Sequence, residues 1–211
     1  MKKHLFALLF FLLIFSGLKS QQIQGFKFGV EAGFNLANTI STITVFGSEA
    51  KNAGYFYLIP TYNLNGYIEY QLNQKIGFAI EPGFMQKGRS FILASGMRTQ
   101  NNYIQLPVTA NFYITKKLSI YCGPELAYLL NAYVKPVNHV DNLYEQYDKA
   151  FELSGFIGVN YNIYKNMDIS LRYNHGLTSI SDNPIGNENE EIVGKVEEYN
   201  QYFQILLRIK I

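Results

Sequence analysis

Apolar and polar residues alternate one by one along eight segments of this sequence. Between positions 26 and 36 one parity reads Phe, Phe, Val, Ala, Phe, Leu, and the other reads Lys, Gly, Glu, Gly, Asn. A period of two places successive side chains on opposite faces of a β-strand. The same alternation predicts seven more strands, at 62–72, 76–84, 104–114, 120–128, 151–163, 167–173 and 203–211.

The charged residues of these segments test the assignment. None of them interrupts an apolar row, so each predicted strand has one uncharged face. All of them lie on the polar parity: Lys27, Glu31, Glu69, Glu81, Lys87, Glu125, Glu152, Asp168, Arg172, Arg208 and Lys210.

The connections between the predicted strands alternate in length. Three are tight turns, at 73–75, 115–117 and 164–166, and four are long links, at 37–56, 88–101, 131–149 and 178–199. Short turns at one end and long loops at the other are typical of bacterial outer-membrane barrels. The sequence therefore predicts an all-β fold, an eight-stranded antiparallel up-and-down transmembrane β-barrel over 21–211, with both termini at the periplasmic end.

Alternation alone does not say which face meets lipid, and a soluble ligand-binding barrel is the rival. The interior of an eight-stranded barrel is only wide enough for side chains or one small ligand. The apolar rows are rich in bulky Phe, Tyr, Leu and Ile, whereas the polar rows carry many Gly, Ala and Ser. We therefore expect the apolar rows to face lipid and the charges to form ion pairs that fill the lumen and leave no open pore.

Two further features of the strands follow from this orientation. Tyrosines on the lipid parity near strand ends are expected to form an aromatic girdle. Prolines inside strands remove ladder hydrogen bonds, so we expect bulges at Pro82, Pro107 and Pro124. The girdle residues are Tyr62, Tyr70, Tyr128, Tyr161 and Tyr173.

Residues 1–20 have the layout of a secretory signal peptide. A basic start is followed by an apolar run at 5–15 and a more polar exit, with cleavage expected after Ser20. The run is too short for a transmembrane helix, which needs about 20 apolar residues. Removing this leader changes the net charge from +2 to −1. That balance argues against a nucleic-acid binder, and the single Cys122 excludes an intrachain disulfide and a multi-cysteine metal site.

The residues suggest little chemistry, and we expect no catalytic, cofactor-binding or metal site. One enzymatic alternative is a lipid-modifying enzyme that uses His175 with a nearby hydroxyl from Ser179 or Ser181, beside Asp182. The simpler interpretation is a rim histidine beside a polar loop. The other histidine of the mature chain, His139, is distant in sequence. The acidic link 178–199 either binds divalent cations or is a solvated loop, and it lacks the spacing of a calcium loop.

Several segments resemble one known family. Four segments resemble, in this order, segments of the PorT-like outer-membrane β-barrel family of Bacteroidetes. They are the stretch from Gly66-Tyr67-Ile68-Glu69-Tyr70 through Gln86-Lys87-Gly88, then Tyr103-Ile104-Gln105-Leu106-Pro107, Gly123-Pro124-Glu125-Leu126 and Arg172-Tyr173-Asn174-His175-Gly176. The resemblance implies an outer-membrane barrel. It also implies a role in type IX protein secretion as one alternative.

The functional expectation is a non-enzymatic barrel of the cell outer membrane whose extracellular loops serve recognition or envelope structure. An accessory of secretion or envelope assembly and the His175 enzyme are the alternatives. The expected partners are outer-membrane lipid and lipopolysaccharide, together with other envelope or secretion proteins. We expect a monomer and no cofactor.

Overall fold

The computed structural model describes residues 25–52, 56–91, 98–135, 141–142, 149–187 and 191–211. The predicted signal peptide lies outside the described residues. The described part of the chain contains no helix long and apolar enough to cross a membrane. Its strands, in chain order, are β1 (Gly25–Val45), β2 (Ser48–Asn52), β3 (Phe56–Tyr57), β4 (Ile59–Gln71), β5 (Ile76–Ile80), β6 (Gly83–Phe91), β7 (Arg98–Tyr113), β8 (Leu118–Lys135), β9 (Asp141–Asn142), β10 (Phe151–Tyr164), β11 (Met167–Gly176), β12 (Ser181–Gly186) and β13 (Ile192–Lys210).

Eight strand positions close into an antiparallel ring. The order around the ring is β1, β4, β5 with β6, β7, β8, β10, β11 and β13, and β13 pairs again with β1. This arrangement confirms the predicted eight-stranded up-and-down barrel. The first strand pairs with β13 from Gly29↔Lys210 to Val45↔Gly194, so the ring is closed by one of its longest ladders.

Side-chain oxygens fix two of the predicted tight turns. The Asn73 Oδ1 atom accepts hydrogen bonds from the backbone N–H groups of Lys75 and Ile76, at 2.8 and 2.9 Å. The Thr115 hydroxyl accepts equivalent bonds from Lys117 and Leu118, at 3.1 and 3.0 Å. Such local bonds explain why Asn and Thr start turns of this length.

The four long links contain more strand than the alternation predicted. The first link, expected at 37–56, is a continuation of β1 to Val45 followed by the returning strand β2. Likewise β6 runs to Phe91, β8 to Lys135, and the link at 178–199 holds β12 and the start of β13. The prediction of long loops was wrong for these residues, which form hairpins beyond the predicted strands.

The prolines interrupt the sheet without shifting its register. Strand β4 pairs with β5 before Pro82 and with β6 after it. The register is the same in both ladders, since Ile68 pairs with Ile80 and Asn65 pairs with Gly83. Register shifts occur instead at 102/103 in β7 and at 162/164 in β10. The ladders around Pro107 and Pro124 also keep one register on both sides. The predicted proline bulges were therefore wrong, because a missing N–H removes one ladder hydrogen bond without adding a residue to the strand.

The two faces of the barrel divide as predicted. The apolar rows point outward, with Phe28 51% and Leu171 61% exposed, while Glu31, Glu81 and Asp168 are fully buried. The expected girdle tyrosines lie on the outer face, where Tyr62 contacts Phe84 and Tyr173 contacts Phe203. Such a surface suits lipid and not water.

Candidate functional site

The middle of the lumen is crossed by a buried network of two arginines and two glutamates. Arg172 on β11 donates to the Glu81 carboxylate at 2.5 Å. Arg208 on β13 donates to Glu31 at 2.7 Å and to Glu81 at 3.1 Å. The β11 strand and the β5–β6 position stand opposite each other in the ring, so the Arg172–Glu81 pair spans the lumen. The four charges balance, as buried ion pairs require.

A second network lies nearer the outer end. Lys87 on β6 donates to Glu125 on β8 at 3.1 Å and to Glu152 on β10 at 3.2 Å. The Tyr202 hydroxyl donates to Glu125 at 2.6 Å, and Asn200 donates to Glu152 at 2.9 Å. This network has one lysine for two carboxylates, and hydrogen bonds to the carboxylates stabilise the additional negative charge.

A third group of charges lies near the short turns. Glu69 accepts hydrogen bonds from the hydroxyls of Tyr67 and Tyr113, and Asp168 pairs with Lys210. Lys27 lies 5.4 Å from the centre of the Tyr113 ring. The predicted lumen charges are therefore brought together in three groups along the barrel axis, with Lys27 and Lys210 only partly buried at the turn end.

Aromatic rings fill the space between the charges. The guanidinium of Arg208 lies 3.8 Å from the centre of the Tyr67 ring, and that of Arg172 lies 4.5 Å from the Phe156 ring. Stacking of a guanidinium on a ring stabilises the cation where water is excluded. Side chains from opposite walls thus meet across the lumen, confirming the predicted ion-paired interior.

Four strands continue outward as a sheet, which we call the outer sheet. Its order is β2, β1, β13 and β12, formed by 48–52, 41–45, 194–198 and 181–185. At its base, Arg89 of β6 binds Glu198 at 2.6 Å. At the edge, Lys149 donates to the Ser179 hydroxyl at 2.6 Å and to Asp182 at 2.5 Å. The bond to Lys149, helped by Ser179, lowers the pKa of the Asp182 carboxyl.

The closed eight-strand ring, the lipid-facing apolar rows and the charged lumen together describe a membrane barrel, and comparison with known families identifies it. A family model for the outer membrane protein beta-barrel domain matches residues 19–182. The chain belongs to this family. It is a protein of the cell outer membrane, as the alternation predicted.

Several solved outer-membrane proteins are similar to this chain at low sequence identity. The Neisserial surface protein A is 16% identical, with 86% of this chain and 98% of that chain covered and a TM-score of 0.42. The attachment invasion locus protein Ail of Yersinia pestis is 13% identical, over 87% and 99% of the two chains, with a TM-score of 0.39. OprG from Pseudomonas aeruginosa is 15% identical, over 92% and 99%, with a TM-score of 0.44. No curated protein matches the chain.

The residues of the enzymatic alternative lie near one another in sequence but have different partners. His175 stacks on Tyr173, with its Nδ1 atom 3.3 Å from the tyrosine hydroxyl. Ser179 accepts a hydrogen bond from Lys149, and Ser181 accepts one from Asn183. Within the described ranges no hydrogen bond joins His175 to either serine. His139 lies outside the described residues.

The acidic link is partly described. Asp182 pairs across the outer sheet with Glu197, which binds Lys195 at 2.8 Å. That hydrogen bond raises the pKa of the Lys195 ammonium. Glu188 and Glu190 lie outside the described residues. Among the residues of known position, no group of three His, Cys, Asp or Glu side chains could hold a metal ion.

Sequence reasoning missed the Arg89–Glu198 pair at the rim. Both residues continue the inward parity of their strands, Arg89 two positions after Lys87 and Glu198 two before Asn200. Extending the alternation beyond the apolar rows would have found them. No comparable sequence pattern marks Lys149. This residue precedes β10, and only the folded structure brings it to Asp182 on β12.

Proposed function

We propose that this protein is a monomeric, non-enzymatic outer-membrane barrel that conducts no solute and displays the outer sheet for recognition at the cell surface. The observation that carries this proposal is the ion pair between Arg172 and Glu81, which joins opposite walls of the lumen. A barrel with such a core is a rigid support. Loops and hairpins on a rigid scaffold are the usual carriers of recognition.

The conduction part of the proposal is tested in planar lipid bilayers. The purified, folded barrel is expected to give no stepwise conductance. A general porin measured in the same bilayers serves as the positive control. Regular conductance steps from the folded protein would contradict a closed lumen.

The recognition part is tested with a shortened outer sheet. Replacing 43–50 and 184–193 by two-residue turns removes the tips of both hairpins and keeps the β1–β13 ladder from Gly29↔Lys210 to Thr42↔Glu197. Cells carrying the shortened protein are expected to lose attachment to mucin-coated or lipopolysaccharide-coated surfaces while keeping normal envelope integrity. Attachment equal to that of native cells would show that the outer sheet has no recognition role.

A role in secretion or envelope assembly is the second candidate, supported by the ordered segments that resemble PorT-like barrels of Bacteroidetes. Membership of that subfamily is part of this second proposal. Deleting the gene and comparing secreted proteins separates the candidates, because a secretion accessory would retain cargo in the cell and a recognition barrel would not. The enzymatic alternative is addressed by His175→Ala, which we expect to leave lipid A acylation unchanged.

A further inference from the structure

A basic cavity opens at the end of the barrel that carries the short turns. It has a volume of about 830 Å³, within the usual range of ligand sites, about 300–1,000 Å³. Among the described residues that line it, the only acidic side chain is Asp168. Six lysines line the same cavity: Lys27, Lys75, Lys116, Lys117, Lys165 and Lys210.

Most of these lysines have no counter-charge in the described structure. Asp168 is already bound to Lys210, and Lys27 lies over the Tyr113 ring. The four turn lysines, Lys75, Lys116, Lys117 and Lys165, are exposed, and no ion pair links them to a described carboxylate. A concave site with charges of one sign concentrates the positive potential and attracts anions.

The type of base distinguishes this cavity from the lumen above it. The middle of the lumen uses arginines, whose planar groups hold Glu31 and Glu81 in fixed geometry. The cavity uses lysines alone, which are flexible point charges that respond to charge density and not to one planar group. Such a set suits a ligand with several anionic groups.

The position of the cavity indicates where the ligand comes from. Its inner wall is formed by lumen-facing residues such as Gln71, Ser119 and Asn160. Lipid acyl chains remain outside the ring of strands, so a ligand that reaches this wall enters from the aqueous periplasm. The amides of Gln71, Gln74 and Asn166 offer both donors and acceptors, which match the N–H and C=O groups of a peptide.

We propose that the turn-end cavity is a docking site for an acidic peptide segment of a periplasmic protein. The lysines bind the carboxylates, and the amide side chains bind the peptide backbone. The site is independent of the outer sheet and lies at the opposite end of the barrel.

The test uses the full barrel in zwitterionic lipid nanodiscs and a fluorescent hexaglutamate peptide. We expect saturable binding that weakens as salt is raised, because exposed charges are screened. Lys116→Gln/Lys117→Gln should weaken binding about fivefold to tenfold, the loss expected for two exposed ion pairs. The matched control, Arg98→Gln/Lys195→Gln, removes two positive charges from the outer end and should bind like the native protein.

The outcomes separate this site from other sources of anion binding. Absent binding, or equal weakening in both double variants, would overturn the proposal. Tripolyphosphate that binds more tightly than the peptide would identify a phosphate site instead. Loss of peptide binding in phosphatidylglycerol nanodiscs would show that the lysines serve lipid headgroups. Heat-modifiable gel migration, measured for every variant, confirms that the barrel is folded.

Discussion

At the residue scale, removing a single charged side chain from the lumen is expected to destabilise the barrel, because its buried partner keeps its charge. Arg172→Met leaves Glu81 fully buried with Arg208 as its remaining cation. Removing one partner of a buried pair costs about 3–5 kcal/mol. We expect Arg172→Met to lower the free energy of unfolding by about 3 kcal/mol in urea titrations of the barrel in lipid vesicles.

The double variant Arg172→Met/Glu81→Gln is the informative companion. It removes both charges, so it is expected to recover part of the stability that Arg172→Met alone loses. Arg98→Met, an exposed site on the outer rim, controls for the loss of one arginine. Strictly additive losses for the two lumen substitutions would contradict a direct pair.

The Asp182 carboxyl gives a pH-dependent contact at the cell surface. Its pKa is lowered by Lys149 and Ser179, so the bond stabilises the folded edge above the ordinary carboxyl pKa of about 4. That stabilisation is lost as the pH falls through the lowered value. In carbon-13 NMR titrations, Lys149→Gln should move the Asp182 pKa up toward its ordinary value, while Lys195→Gln should move it less. An unchanged Asp182 titration in Lys149→Gln would contradict the contact.

At the element scale, close approach of strands β7 and β8 requires glycine at one point. A Cβ atom on Gly123 would lie 1.8 Å from the Val108 carbonyl oxygen, whereas one on Gly155 would meet only the Leu177 side chain, at 3.6 Å. We expect Gly123→Ala to destabilise the barrel by about 1–3 kcal/mol and Gly155→Ala to be near neutral in the same urea titrations. Equal effects of the two substitutions would contradict the close approach.

The barrel strands could be predicted because lipid on one side and a polar lumen on the other impose a strict alternation. The outer hairpins could not be predicted, since their strands are defined by the strands they pair with, as 41–45 is by β2 and by the distant β13. The charged residues of the lumen were correctly placed inside. Their partners were not predictable, because parity gives the side of a strand but not which residues of opposite walls lie at the same height, as Glu81 and Arg172 do.

At the scale of the whole molecule, the direction of the apolar rows distinguishes a membrane barrel from a soluble one. Leu171 lies in the middle of β11 and is 61% exposed on the outer face. In lipid, Leu171→Arg should cost about 2–4 kcal/mol, because a charge at mid-depth meets hydrocarbon. Leu171→Ala is the control for lost side-chain contacts. A neutral Leu171→Arg in lipid vesicles would contradict the transmembrane placement.

The lumen networks also determine when the barrel can be complete. Strand β13 contributes Arg208, Tyr202 and Asn200, whose partners include Glu31 on β1, Glu125 on β8 and Glu152 on β10. Until β13 closes the ring, Glu31 lacks the Arg208 guanidinium, and Glu125 and Glu152 share Lys87 without the hydrogen bonds from Tyr202 and Asn200. In a half-assembled barrel, the charged side chains of the interior therefore still need water to solvate them. Insertion and closure are consequently coupled, and the ion-paired lumen is complete only in the final step of assembly.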